Sequence, residues 1–232
     1  MEDRTVPDQL AEQLGVRFIR EIASGAEAKL LLVDYHGVPA VLKVRQPKPY
    51  RHPSLDLRLR NYRTMLEAKL LAKASACGVR APLVYLLSTK HAAILMEHIE
   101  GVRLSSAPEE QLVQAAEKVG RILGGLHSAS ILHGDMTPSN IVANENGLSV
   151  LDFGLGYFGV SVEDRAVDVN LFLRVVEALA PSRSEEIRRL FLDGYSAAFK
   201  GKECVSVMRR LKELRLRGRY IQGRRSRSVQ QE

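Results

Sequence analysis

HGDMTPSNIVANENGLSVLDFGLG, residues 133–156, is the stretch on which the fold turns. Asp135 is followed five residues later by Asn140, and twelve residues after that by Asp152 inside a DFG triplet. An acid, an Asn and a second acid in this order suit phosphoryl transfer. One carboxylate accepts or orients the attacking hydroxyl, while the Asn and the second Asp hold magnesium ions that bridge phosphates. Between them the spacing predicts a hairpin. Ile141–Ala143 and Leu148–Leu151 are short apolar runs joined by a Glu-Asn-Gly turn, which would bring Asn140 and Asp152 together. HGD alone reads as an ordinary turn and DFG alone arises by chance in many chains; both, at this spacing around an apolar hairpin, are hard to obtain by accident. His133 reads as a brace for the loop rather than a proton carrier.

Upstream, Phe18–Ile22, Lys29–Asp34 and Val38–Val44 predict an antiparallel three-strand meander. The turn Gly25-Ala26-Glu27 sits where a kinase lays its glycine-rich lid over nucleotide phosphates, although with one glycine it equally suits a plain hairpin turn. Lys43, between Leu42 and Val44, would face opposite to both, where it can act as a point charge on phosphates. The helix expected from Leu55 to about Ala76, capped by Ser54, carries a predicted buried stripe of Leu55, Leu59, Tyr62, Leu66 and Leu70. Glu67 borders that stripe as the partner for Lys43; the plainer reading pairs it with Arg63 on the helix surface.

Two further strands, Leu83–Leu87 and Ala92–Met96, lead into Met96-Glu97-His98-Ile99, where a kinase presents backbone groups to adenine. A helix from Pro108 to about Ala129 delivers the chain to His133. Beyond Gly156 the next helix, about Asp164 to Leu179, begins after only a few residues. No APE triplet follows Gly156, so a peptide-docking platform has little room. Asp168 reads two ways, as an acceptor for the catalytic-loop backbone or as helix-start electrostatics. Helices over Ser184–Phe199 and Lys202–Leu216 complete a mainly helical half.

Composition narrows the classes. With 232 residues, 45% of them hydrophobic, the chain can form two small lobes with a proper core. The N-terminus carries acids and no apolar h-region, which excludes a signal peptide, and no run approaches membrane-spanning length. Cys77 and Cys204 lie far apart and read as reduced thiols of an intracellular protein. The net charge of +7 equals that of residues 202–232, so the rest of the chain is balanced. Residues 217–232 read as a flexible basic tail in which Arg217, Arg219, Arg224, Arg225 and Arg227 suit a polyanion.

Together GAEA (25–28), LKVRQPKPYRHPSLD (42–56), HGDMTPSN (133–140), LDFGLG (151–156), EDRAVD (163–168) and LRGR (216–219) resemble the small atypical kinase subunit of the KEOPS complex, which makes threonylcarbamoyladenosine in tRNA. The likeness covers nearly the whole chain. One departure is Tyr220-Ile221-Gln222-Gly223, which separates LRGR from the next arginines. The resemblance implies an α+β, bilobal, protein-kinase-like fold: a small antiparallel β N-lobe over residues 1–97, a reduced helical C-lobe over 98–216, and the tail. It implies ATP and Mg²⁺ as cofactors, Ser/Thr autophosphorylation, and an ATPase role supporting tRNA modification. The implied partners are the threonylcarbamoyl-transferase subunit, a small regulatory subunit and tRNA. The implied setting is the cytoplasm, and the nucleus as well in a eukaryote. In this scheme Lys43, Glu67 and Asp135 are catalytic, Asn140 and Asp152 bind metal, and Gly25–Glu27 and Met96–Ile99 contact nucleotide. The alternatives are a RIO-like serine/threonine kinase acting on a separate protein, an antibiotic-type phosphotransferase, and a catalytically dead scaffold that binds RNA.

Overall fold

The computed structural model describes residues 10–229, with side chains over residues 10–216. They fall into two compact units. One holds the chain through Ala76 together with Arg80–Glu100; the other holds Cys77–Val79 and everything from Gly101 on. The division therefore falls at Glu100/Gly101, three residues after the 97/98 boundary expected from the sequence. Among the described residues no helix is long and apolar enough to cross a membrane.

The first unit is built on one five-stranded antiparallel sheet in the order β1-β2-β3-β5-β4. Its strands are β1 (Arg17–Ser24), β2 (Ala28–Tyr35), β3 (Val38–Arg45), β4 (Val84–Ser88) and β5 (Ala93–Glu97). Alternation along β3 sends Ala40 and Leu42 into an apolar cluster with Leu31, Val33, Ala93 and Leu95, closed over by Ala11 and Val16 from the preceding segment. Val41, Lys43 and Arg45 take the opposite face. That face looks toward helix α1 (Pro53–Ala76), which packs on β4 and β5.

Helix α1 corrects two expectations. It starts at Pro53, a residue suited to a first helical position, so Ser54 lies inside it and its hydroxyl meets His52 rather than capping. The expected apolar stripe is also turned outward along the first half of the helix: Leu55, Leu59 and Tyr62 are 49%, 38% and 62% exposed. Two stripes at helical spacing compete there, and the polar one is buried. Asp56 accepts from the Lys48 amide and Arg60 Nε, and Thr64 Oγ1 donates to the Arg60 carbonyl, so the loop 46–52 and the helix itself supply the partners. From Ala68 on, Leu70, Leu71 and Ala74 resume an apolar contact face.

The second unit holds α2 (Glu109–Ser128), α3 (Val162–Leu179), α4 (Ser184–Ala198) and α5 (Lys202–Val229). It also holds a sheet in the order β6-β8-β9 and a two-stranded pair of β7 (Ile131–Leu132) with β10 (Tyr157–Phe158). Here β6 is Val102–Arg103, β8 Ile141–Asn144 and β9 Gly147–Val150. The 3.6-residue period of α2 is realised, with Leu112, Ala116, Val119, Leu123 and Leu126 buried, and α3 buries Val169, Phe172, Leu173 and Val176. Phe172 stacks on Phe191 of α4 with ring centroids 4.6 Å apart. Helix α5 does not stop at Leu216, as the sequence reading expected, but continues to Val229. Arg, Leu and Gln are good helix formers and no proline interrupts them. The side chains of Arg217, Arg219, Arg224, Arg225 and Arg227 lie outside the described residues.

Candidate active site

In the first unit the strand period places Lys43 and Arg45 on one face, and α1 brings Glu67 to both. Lys43 Nζ donates to Glu67 Oε1 and Arg45 Nη2 donates to Oε2, each at 2.6 Å, and all three side chains are buried. Glu67 is thus the partner of Lys43 and not of Arg63. Arg63 turns to Glu27 (3.1 Å), which also faces Lys48 (3.2 Å). The Lys48 hydrogen bond holds the Glu27 carboxyl below the usual carboxylate range, although the group is half exposed. Glu27 therefore ties the Gly25-Ala26 turn to the loop and helix behind it. That turn is closed by Gly25 N donating to Ala28 O at 3.0 Å. In the segment Met96–Ile99, Met96 and Glu97 end β5, and the Glu97 carboxylate takes Arg80 and the Leu83 amide. The Arg80 hydrogen bond is the main reason the Glu97 carboxyl sits below its usual range.

In the second unit the β8–β9 hairpin forms as the apolar runs predict. Ile141 lies opposite Val150, and Leu151 N donates to Asn140 O at 2.8 Å, so the residues flanking the hairpin are held side by side. Asn140 Nδ2 donates to both the carbonyl and the Oδ2 of Asp135 at 2.9 Å. Those oxygens can only accept, which fixes the amide and turns Asn140 Oδ1 away from Asp135. Asp152 adopts φ 58°, a left-handed conformation steadied by its Oδ1 accepting from Gly154 N at 3.1 Å.

The loop at His133–Asp135 is braced from beneath. Asp168 accepts from the backbone amides of His133 (2.7 Å) and Gly134 (2.9 Å), which decides between its two readings. His133 is fully buried; its Nδ1 accepts from the Asp135 amide and its Nε2 donates to the Leu151 carbonyl at 3.1 Å. It joins the two motifs as a brace. Gly134 has φ 75°, and a Cβ there would come within 2.5 Å of the Leu155 carbonyl, so only glycine fits.

Sequence reasoning missed a buried chain behind this loop. The Tyr195 hydroxyl meets His127 Nδ1 at 2.8 Å, and His127 Nε2 reaches Asp168 Oδ2 at 3.4 Å. The carboxylate can only accept, so the His127 proton sits on Nε2 and Nδ1 accepts from the tyrosine. Burial pushes the Tyr195 phenol up, so it stays protonated. Arg45 was missed as well. Its signal was present, because it lies two residues beyond Lys43 in a strand and so shares its face.

Burial lowers the pKa of both His127 and His133. The folded chain therefore binds these protons more weakly than the unfolded chain, whose histidines titrate near about 6.5. Stability is complete above that value and falls as pH drops below it, by up to about 1.4 kcal/mol per pH unit for each histidine. Thermal melts at pH 7.5 and 5.5 are expected to show a lower midpoint at the acidic pH, and equal midpoints would refute the neutral assignment.

Two oxygen donors, Asn140 Oδ1 and the Asp152 carboxylate, fit magnesium, which takes few protein oxygens and completes its shell with phosphates and water. Among the described residues no group of three or more His, Cys, Asp or Glu could hold a metal ion.

This arrangement defines a kinase-like protein, and comparison with known proteins agrees. A family model described as the RIO domain matches residues 44–156. The fold is similar to that of the Rio2 kinase of Chaetomium thermophilum, solved as an ADP/Mg²⁺-phosphoaspartate complex. The TM-score is 0.57 at 13% identity, covering 89% of this chain and 74% of that one. By sequence the chain is 37% identical over 212 residues to KEOPS complex subunit Bud32 of Pyrococcus abyssi, covering 86% of this chain and 95% of the relative. It is also 37% identical over 199 residues to a probable bifunctional tRNA threonylcarbamoyladenosine biosynthesis protein of Methanobrevibacter smithii, of which it spans 36%. The chain belongs to the Bud32 family.

Proposed function

We propose that the protein is an ATP- and magnesium-dependent atypical kinase or ATPase, working as a KEOPS subunit in the formation of threonylcarbamoyladenosine in tRNA. The observation that carries this reading is the Asp135–Asn140 lock within a family whose named members serve that complex. Lys43, held by Glu67, presents its charge to nucleotide phosphates. The turn at Gly25-Ala26-Glu27 offers them its backbone, and Met96–Ile99 offers backbone groups to adenine. Asp135 accepts or orients the attacking hydroxyl or water. Asn140 and Asp152 hold magnesium, which neutralises phosphate charge when bound. The short run from Gly156 to α3 leaves little platform for a peptide, which favours ATP hydrolysis, with Ser/Thr autophosphorylation as a side capacity. The expected partners are the threonylcarbamoyl-transferase subunit, a small regulatory subunit and tRNA, in the cytoplasm, or in the nucleus of a eukaryote.

The test is ATP hydrolysis by the chain assembled with the transferase subunit, with and without tRNA. Faster turnover with tRNA is expected, and turnover indifferent to both partners would overturn the assignment to tRNA modification. The basic C-terminus is read from sequence as the tRNA contact. Deleting residues 217–232 removes five arginines and is expected to weaken tRNA association and flatten its salt dependence, by roughly 0.7–0.9 in log–log slope per lost phosphate contact. Nucleotide binding should be spared; an unchanged salt slope would remove the tail from the RNA contact.

A further inference from the structure

We propose that Lys48 is a positioning residue for the nucleotide site, which shapes the turn at Gly25-Ala26-Glu27 by holding its carbonyl side back against the loop 46–52. The inference rests on the nucleotide reading above, in which that turn offers its backbone to phosphate, and names the residue that sets the turn for it.

The turn holds one glycine, and that glycine does not give it its shape. Gly25 has no left-handed φ, and a Cβ there would meet only the Ala28 carbonyl, at an ordinary 3.6 Å. The shape comes from the neighbouring loop. Lys48 Nζ donates to the Ala26 carbonyl, and the Gln46 amide donates to the Glu27 carbonyl at 3.0 Å. A trans peptide sets its N–H opposite to its C=O. With both carbonyls turned to the loop, the amides of Glu27 and Ala28 face the other way, free of the loop and suited to an anion. Lys48 Nζ also stands 3.2 Å from Glu27 Oε1, while Arg63 of α1 takes Oε2 at 3.1 Å. One ammonium, with three donors, therefore meets a main-chain and a side-chain oxygen of adjacent residues.

The lysine is itself held. Pro47 and Pro49 flank it, and a residue before proline is confined to extended backbone. Its amide donates to Asp56 Oδ1 at 3.2 Å, and the buried Asp56 takes Arg60 Nε at 2.7 Å, one turn along α1. Its side chain is only 13% exposed. A line of contacts thus runs from α1 through Asp56 and Lys48 to the turn.

Binding of MgATP, MgADP and adenosine to the wild type, Lys48→Met, Lys48→Arg and Glu27→Gln separates this role from packing. Lys48→Met is expected to weaken MgATP and MgADP on the order of tenfold, the equivalent of one charge-assisted hydrogen bond, and to leave adenosine as it was. Lys48→Arg keeps charged donors for both oxygens and should recover most of the affinity. Glu27→Gln keeps the Lys48 contact to the Ala26 carbonyl and should lose less than Lys48→Met. Hydrogen exchange of the Gly25 and Gln46 amides, read without nucleotide, separates positioning from direct contact with phosphate. Both amides should exchange faster in Lys48→Met. Thermal melts show whether Lys48→Met folds, and Lys48→Gln replaces it if it does not. A variant that binds MgATP like the wild type, that loses adenosine in the same proportion, or whose exchange at these amides is unchanged overturns the proposal. A wild type that does not favour MgATP over adenosine sinks the nucleotide reading itself, and with it the role of Lys48, whatever the exchange shows.

Discussion

Asp152→Ala is expected to reduce magnesium-dependent ATP turnover at least a thousandfold while leaving the protein folded. In the proposed site two protein oxygens would hold magnesium, and this substitution removes the charged one. The bound ion would supply electrostatic stabilisation of the transferring phosphate, worth on the order of 4 kcal/mol for three decades of rate. Nothing in the hydrophobic core leaves with it. Asp152 sits at φ 58° with its carboxylate turned back on Gly154 N, so an apolar side chain there loses a local turn contact and keeps a strained backbone. A cost of about 1–2 kcal/mol in stability is the expected accompaniment. Turnover and thermal midpoint measured on the same preparation check both halves. Wild-type turnover in the variant would remove Asp152 from the metal site; loss of fold would show that the residue is structural.

Gly194→Ala is the second large effect, and its sign is decided by magnitude. In an open helix this change is stabilising by roughly 1 kcal/mol, because alanine is the better helix former. In α4 a Cβ at position 194 would stand 2.0 Å from the Glu117 carbonyl of α2. The obstacle is backbone, so the two helices must separate and the packing of Phe191 and Tyr195 loosens with them. Overpacking of this kind costs about 3 kcal/mol or more, which outweighs the propensity gain. A drop in thermal midpoint of about 10 °C follows for a chain of this size. The same separation pulls on Tyr195, whose hydroxyl leads through His127 to Asp168 and the amides of the catalytic loop. Turnover should therefore fall well below the melting range. A midpoint equal to or above that of the wild type would contradict the close approach of these helices.

The parts of this molecule most legible in its sequence are those whose chemistry needs particular side chains at particular separations. Asp135, Asn140 and Asp152 stand out because the phosphoryl transfer proposed for them needs an acid, an amide and a second acid in that order, with an apolar hairpin and a glycine turn between. Lys43 is readable from strand alternation, and Glu67 from the need of a buried lysine for an acid on the next helix. Burial of α1 was read wrongly for a physical reason. Its leucines and its Asp56–Arg60–Thr64 line have equal periodicity, and only the position of the 46–52 loop decides which is covered. Periodicity carries no information about a partner that comes from elsewhere in the chain. The same limit hid the Tyr195–His127–Asp168 chain, whose members are separated by 68 and 41 residues. The length of α5 was missed because arginine-rich sequence suits a solvated coil and a helix alike. Charge pattern alone does not separate the two.

ATP turnover by the wild-type protein is expected to depend on magnesium. Hydrolysis of γ-labelled ATP, followed across a magnesium titration with a chelated control, should rise saturably from a baseline near zero. Turnover that persists undiminished in the chelated control, or that is absent at every magnesium concentration both with and without the transferase subunit and tRNA, would contradict it.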